Sequence, residues 1–363
     1  MKRSGRDGGG ASVKNPFWNA KERRVRSLWR LLLQVLLFFI LAGVLTSVAV
    51  FVALFVAIAG GRSTPNLADP NFAQQVTDLA LGDPLAGVLL ILTSFLGIFL
   101  SVWLAGRLLD RRRLADFGFH FSPRWWADLG FGLALGAGLM VGIFLVELAA
   151  GWVTVTGSLQ SQRGPFGTAI LMAMVQFLGV GVQEEVFSRG YQLRNLAEGL
   201  NLPRIGPRAA LLLGYAGSSI VFGLLHAGNP NASTVSTINL IVAGLFLGLG
   251  YVLTGELAIP IGIHITWNFF QGNVFGFPVS GGTPGTIFIA IQQGGPELWT
   301  GGAFGPEAGL LGLLAIAVGS LLTVAWVRRQ YGRAELQERV AQYTRPQCKS
   351  SLQIEAGNES VPF

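Results

Sequence analysis

Long apolar runs separated by short polar or Gly/Pro-rich stretches dominate the chain. A bilayer core about 30 Å thick is crossed by roughly 20 apolar residues in a helix, and runs of that length recur along nearly the whole sequence. They predict spans at 31–59, 85–106, 128–153, 166–190, 209–227, 234–254, 257–275 and 307–327, with ends good to a few residues. The expected fold is all-α, a polytopic transmembrane helical bundle of about eight spans enclosing a buried polar cavity. The first run is too long for a signal-peptide core and lacks a convincing cleavage site, so it is expected to be retained. Gly/Pro-rich 276–306, with Gly281, Gly282, Pro284, Gly294 and Pro296, reads as a loop, and 1–27 and 345–363 read as tails without a packed core.

Composition sharpens this picture. Of 363 residues, 51% are hydrophobic and only 12% charged, which excludes an ordinary soluble domain. Small residues let membrane helices approach closely, and two G-x-x-x-G pairs, Gly132/Gly136 and Gly138/Gly142, fall in the third run. The net charge of +7 is no sign of a nucleic-acid partner, because the bases sit beside apolar runs. Arg23, Arg24, Arg26 and Arg30 precede the first run, and Arg328 and Arg329 follow the last, as topology anchors would. The loop with Arg107, Arg111, Arg112, Arg113 and Arg124 and the stretch with Arg194, Arg204 and Arg208 are also basic. Asp69, Asp78 and Asp83 instead accompany a lone Arg62, so both termini are expected on the cytoplasmic side. The single cysteine, Cys348, rules out an intrachain disulfide and a Cys-based zinc site.

Charges inside spans cost a few kcal/mol on insertion scales and need a partner or a task. The fourth run ends Gln183-Glu184-Glu185-Val-Phe-Ser-Arg189. Glu185 and Arg189, at i and i+4, can pair; Glu184 is turned about 100° away and is left free to react. The plainer alternative is that both acids pair with Arg189 and Arg194 at the interface. Of three histidines, two lie in apolar runs: His226 ends Phe222-Gly-Leu-Leu-His226, and His264 stands four residues before Asn268 on one face of the seventh run. A lone membrane histidine is commonly a helix-to-helix hydrogen-bond partner, and His120, beside Arg124, Trp125 and Trp126, reads as an interface residue.

One carboxylate, two imidazoles and a carboxamide suffice for peptide hydrolysis by activated water. Glu184 would take the proton, His226 would orient the water, and His264 with Asn268 would donate to the oxyanion. No serine or cysteine nucleophile and no cofactor is needed. Glu184, His226 and His264 also make a possible two-His, one-carboxylate metal set, although the H-E-x-x-H signature is absent.

The ordered motifs Glu-Glu-x-x-x-Arg at 184–189, Phe-x-x-x-His at 222–226 and His-x-x-x-Asn at 264–268 closely resemble the CPBP family, the CAAX-protease and bacteriocin-processing membrane proteins. The run from Gly244 through Gly255 to Pro260 and His264 is similar too, so the resemblance covers roughly 165–275. It implies a glutamate-dependent intramembrane endopeptidase acting on a membrane-associated peptide or protein, in some members prenylated CAAX proteins. By motif position it implies that Glu184 and His226 activate water, that His264 and Asn268 stabilise the oxyanion, and that Arg189 orients Glu185. The expected organisation is a basic tail (1–27), scaffold spans (28–160), a catalytic core (165–275), the loop (276–306), a last span (307–327) and a basic cytoplasmic tail (328–363). A transporter with a proton relay, and a non-catalytic scaffold or immunity protein, are the competing readings. Parallel spans would set His226 at the opposite depth from Glu184, unless the fourth helix runs on to about Leu200 before Asn201-Leu202-Pro203 stops it.

Overall fold

The computed structural model describes residues 15–61, 65, 66, 68–72, 74–76, 84–162 and 164–343. The protein is mostly helical: α1 (Ser27–Ala59), α2 (Pro84–Ala105), α3 (Pro123–Ala149), α4 (Phe166–Leu200), α5 (Gly206–Leu225), α6 (Thr234–Thr254), α7 (Ala258–Phe269) and α8 (Leu310–Tyr331). Among the described residues, seven helices are long and apolar enough to cross a bilayer, and the chain is a multi-pass membrane protein. α1 exposes Leu32, Leu36, Phe39, Ile40, Phe51 and Phe55, which suits a helix solvated by lipid.

The exception is α7. The run 257–275, expected to span, forms a helix of 12 residues followed by one wide turn, Phe270–Val274. Every residue from Ala258 to Ile265 is buried. With that turn it makes 17 helical residues that carry the chain across the bundle, from Leu257, bonded to Gly118 before α3, to Ser280, bonded to Asn229 after α5. Its apolar composition reflects protein on all sides, since it packs against α3, α4 and α6.

Local signals explain several ends. Ser122 caps α3 by accepting a hydrogen bond from the Trp125 N–H, with Pro123 at the first helical position. Ser233 caps α6, and Gly255, at φ 76°, ends it in the left-handed conformation. α4 continues for 35 residues through a stretch of π-helix, Val186–Leu193, that begins just after the two glutamates. The span thus runs past 190 to Leu200, the longer of the two ends the sequence allows.

The glycine pairs separate. A Cβ at Gly132 would lie 3.1 Å from Gly262 Cα, and one at Gly262 would lie 2.6 Å from Leu129 O, so α3 and α7 touch backbone to backbone. Gly138 and Gly142 have nothing within 4 Å of such a Cβ. Only the first pair is a helix contact here.

Three expectations are corrected. The 276–306 segment is not all loop: β4 (Thr286–Gln293) pairs antiparallel with β3 (Val153–Ser161). Within the expected N-terminal tail, residues 15–27 are ordered, with β1 (Trp18–Asn19) paired to β2 (Arg24–Val25); residues 1–14, 62–64, 77–83 and 344–363, hence Arg62, Asp78 and Asp83, lie outside the described residues. Arg24, Arg30, Arg112 and Arg194 are not solvated anchors but buried. Glu198, on α4, pairs with Arg24 at 2.7 Å, with Arg30 at 3.2 Å and with Arg112. Arg30 also meets Asp110 at 2.5 Å, which accepts a hydrogen bond from Tyr191. Arg194 donates to the Tyr251 hydroxyl. This network ties α1, the turn after α2 and α4 together.

Candidate active site

The extended α4 settles the depth problem. Glu184 lies midway along it, and the C-terminal end of α5 brings His226 to the same level. Glu184 Oε2 is 4.0 Å from His226 Nε2 and 3.9 Å from His264 Nε2. These separations are too long for direct hydrogen bonds and match the span of one water bonded to both at about 2.8 Å. With Asn268, the three line one cavity of about 210 Å³ whose walls include Phe177, Phe222, Leu247 and Trp267. Glu184 keeps about a third of its side chain accessible, whereas its neighbour Glu185 is fully buried.

Each ring is oriented through its other nitrogen. His226 Nδ1 donates to the Phe222 carbonyl at 2.8 Å, so its Nε2 presents a lone pair to the cavity in the neutral form. His264 Nδ1 lies 2.7 Å from Glu185 Oε1. Since that carboxylate accepts, Nδ1 carries a proton, and Nε2 donates only from the cationic ring. Arg189 Nη1 bonds the same Glu185 oxygen at 2.8 Å, Nη2 bonds Gly244 O at 2.8 Å, and the guanidinium lies over the Phe222 ring. Arg189 thus joins α4 to α6 and braces Glu185 beneath His264.

Sequence reasoning placed Glu185 with Arg189 but missed its bond to His264. It also missed Glu307, another carboxylate lining the cavity. Glu307 was taken as the first residue of the last span, but α8 begins at Leu310. It accepts from Ser280 N at 2.6 Å, from Ser280 Oγ at 2.8 Å and from Gln271. Burial pushes its carboxyl above the usual range, against these donors. Its signal in the sequence was an acid at the edge of an apolar run. His120 sits away from this site, paired with Glu256 at 2.7 Å and half-exposed.

A family model described as Type II CAAX prenyl endopeptidase Rce1-like matches residues 166–270, which hold all four cavity residues. These residues are similar to the domain of that family. The matched segment comprises α4 to α7, the helices that bring the three motifs together. The chain is also 25% identical over 256 residues to the uncharacterized protein YyaK of Bacillus subtilis (strain 168), covering 64% of this chain and 82% of that protein. No solved structure matches the chain.

The potential metal set is more open than a zinc site. Bonds of about 2.1 Å in a tetrahedron put ligand atoms about 3.4 Å apart. Both Glu184 to imidazole distances exceed that. Among the described residues, no group of three His, Cys, Asp or Glu side chains is placed to hold a metal ion.

Proposed function

We propose that this protein is an intramembrane endopeptidase that hydrolyses a peptide bond of a membrane-associated protein or peptide through water activated by Glu184 and His226. The observation that carries this reading is the spacing of Glu184 Oε2 from the two imidazole Nε2 atoms, 4.0 and 3.9 Å. A water there donates one hydrogen to Glu184 and the other to the His226 lone pair, leaving its own lone pair for the scissile carbonyl. As the water attacks, its proton passes to Glu184 and negative charge grows on the carbonyl oxygen. His264 Nε2–H, from the cationic ring, and the Asn268 amide then donate to that oxygen. Glu184 returns the proton to the leaving amine. Similarity of residues 166–270 to the CAAX endopeptidase family supports the same assignment. The basic segments flanking the spans support cytoplasmic termini, with the catalytic core at 165–275.

The test uses purified protein in lipid nanodiscs and a library of membrane-tethered peptides, with products read by mass spectrometry. Wild type is expected to cut, and Glu184→Gln and His226→Ala to cut at least about 10²-fold more slowly while unfolding at the same temperature. Unchanged cleavage by either variant sinks the mechanism. Cleavage lost to a chelator and restored by zinc would move Glu184, His226 and His264 into a metal site. A wild type that cuts nothing but carries protons into vesicles would favour a transporter.

A further inference from the structure

A second cavity, of about 190 Å³, lies along the same face of α4. Ala169, Met172, Ala173 and Gln176 line it at helical spacing, and Val180 and Glu184 continue that face into the catalytic cavity. The two cavities share Phe177 and Val279 as walls. The opposite side, including Asn273, Thr283 and Thr286, lies beyond the residues that the family model matches.

Two amides in this cavity keep hydrogen-bonding capacity unused. Asn273, 3% exposed, donates from Nδ2 to Thr286 O at 2.7 Å, while its Oδ1 has no hydrogen bond. Gln176 makes none among the described residues. A buried carbonyl oxygen without a donor is unfavourable, and an acyl chain would leave Asn273 Oδ1 so. A peptide main chain offers one donor and one acceptor per residue and would satisfy both. Distance along α4 sets the register. Gln176 stands about 12 Å and Ala169 about 22 Å from Glu184 at about 1.5 Å per residue. An extended peptide at about 3.3 Å per residue covers these in about four and about seven residues.

Resting on the peptidase reading above, we propose that this second cavity is a substrate subsite that holds an extended peptide, with Gln176 and Asn273 bonding its main chain about four residues from the scissile bond. The substrate class is then a chain with at least four extended residues on one side of the cut, and Ala169 and Ala173 leave room for its side chains.

Ala173→Trp fills the subsite from a position that lines the second cavity and not the catalytic one, and Gln176→Ala removes one amide. With a twelve-residue peptide cleaved by wild type, Ala173→Trp is expected to raise KM at least tenfold and Gln176→Ala severalfold, with kcat nearly unchanged. A six-residue version centred on the same bond should respond to neither. Equal effects on both lengths, or none on the longer, would overturn the subsite. Failure of the peptidase reading is read separately, by binding to Glu184→Gln protein in nanodiscs. A library of apolar dodecapeptides should be retained at least tenfold better by Glu184→Gln than by the Glu184→Gln, Ala173→Trp double variant. No difference in retention, or displacement by Ala173→Trp of a co-purifying lipid but of no peptide, also overturns it.

Discussion

Glu185 Oε1 accepts both from Arg189 at 2.8 Å and from His264 Nδ1 at 2.7 Å, so the second glutamate of the pair is committed to holding the imidazole that faces the first. Its other oxygen, Oε2, is buried without a hydrogen-bond partner. Glu185 is therefore a positioning residue, and Glu184 alone of the pair opens to the cavity.

Replacing Glu185 with Gln removes the negative charge that balances a cationic His264 and loosens the ring. A misplacement of about 1 Å costs on the order of 10²-fold in rate. The expected outcome is a fall in kcat of that order with KM nearly unchanged, read by steady-state cleavage. A fall confined to KM would contradict the positioning role.

The Glu198 cluster makes a separate prediction. Its carboxylate is 3% exposed and faces three arginines. Removing one side of a buried charge cluster leaves the rest uncompensated, at a cost of about 3–5 kcal/mol. Glu198→Ala should lower the unfolding temperature sharply, whereas Glu335→Ala, at the exposed pair with Arg333, should leave it within error. Thermal unfolding in one detergent compares them.

Packing of α3 on α7 gives a third. Gly132→Ala forces a methyl against Ile259 O and Gly262 Cα and should destabilise by about 1–3 kcal/mol. Gly138→Ala meets nothing and should be neutral or slightly stabilising. Because α7 carries His264 and Asn268, activity should fall with Gly132→Ala even where the protein remains folded.

Glu307 gives the pH dependence. Its carboxyl is raised by burial above the ordinary 4.5, so the folded protein holds that proton more tightly than the unfolded chain does. The resulting stability is complete below about pH 4.5 and is lost as pH rises through the folded value. The stability of wild type relative to Glu307→Gln should therefore decline from pH 4.5 upward, measured by urea unfolding at a series of pH values. A flat difference would show that Glu307 does not titrate in this window.

The membrane class, most helices and the Glu185–Arg189 pair were legible because they depend on residues a few positions apart. Run length decides whether a helix can span, and a spacing of four puts two side chains on one face. Local pattern alone did not distinguish lipid from protein around an apolar helix: 257–275 crosses the bundle as expected, but α7 does so enclosed by its neighbours. Nor did it show that Arg24, Arg30 and Arg112 converge on Glu198, because a cation beside an apolar run has the same sequence whether it faces solvent or a buried acid. β3 and β4 pair across more than a hundred residues and carry no mutual signal. The motifs named Glu184, His226, His264 and Asn268. Only the long α4 and the end of α5 set them around one cavity, with Glu307 and Gln176 beside it, since depth in a bundle is set by how helices pack against one another.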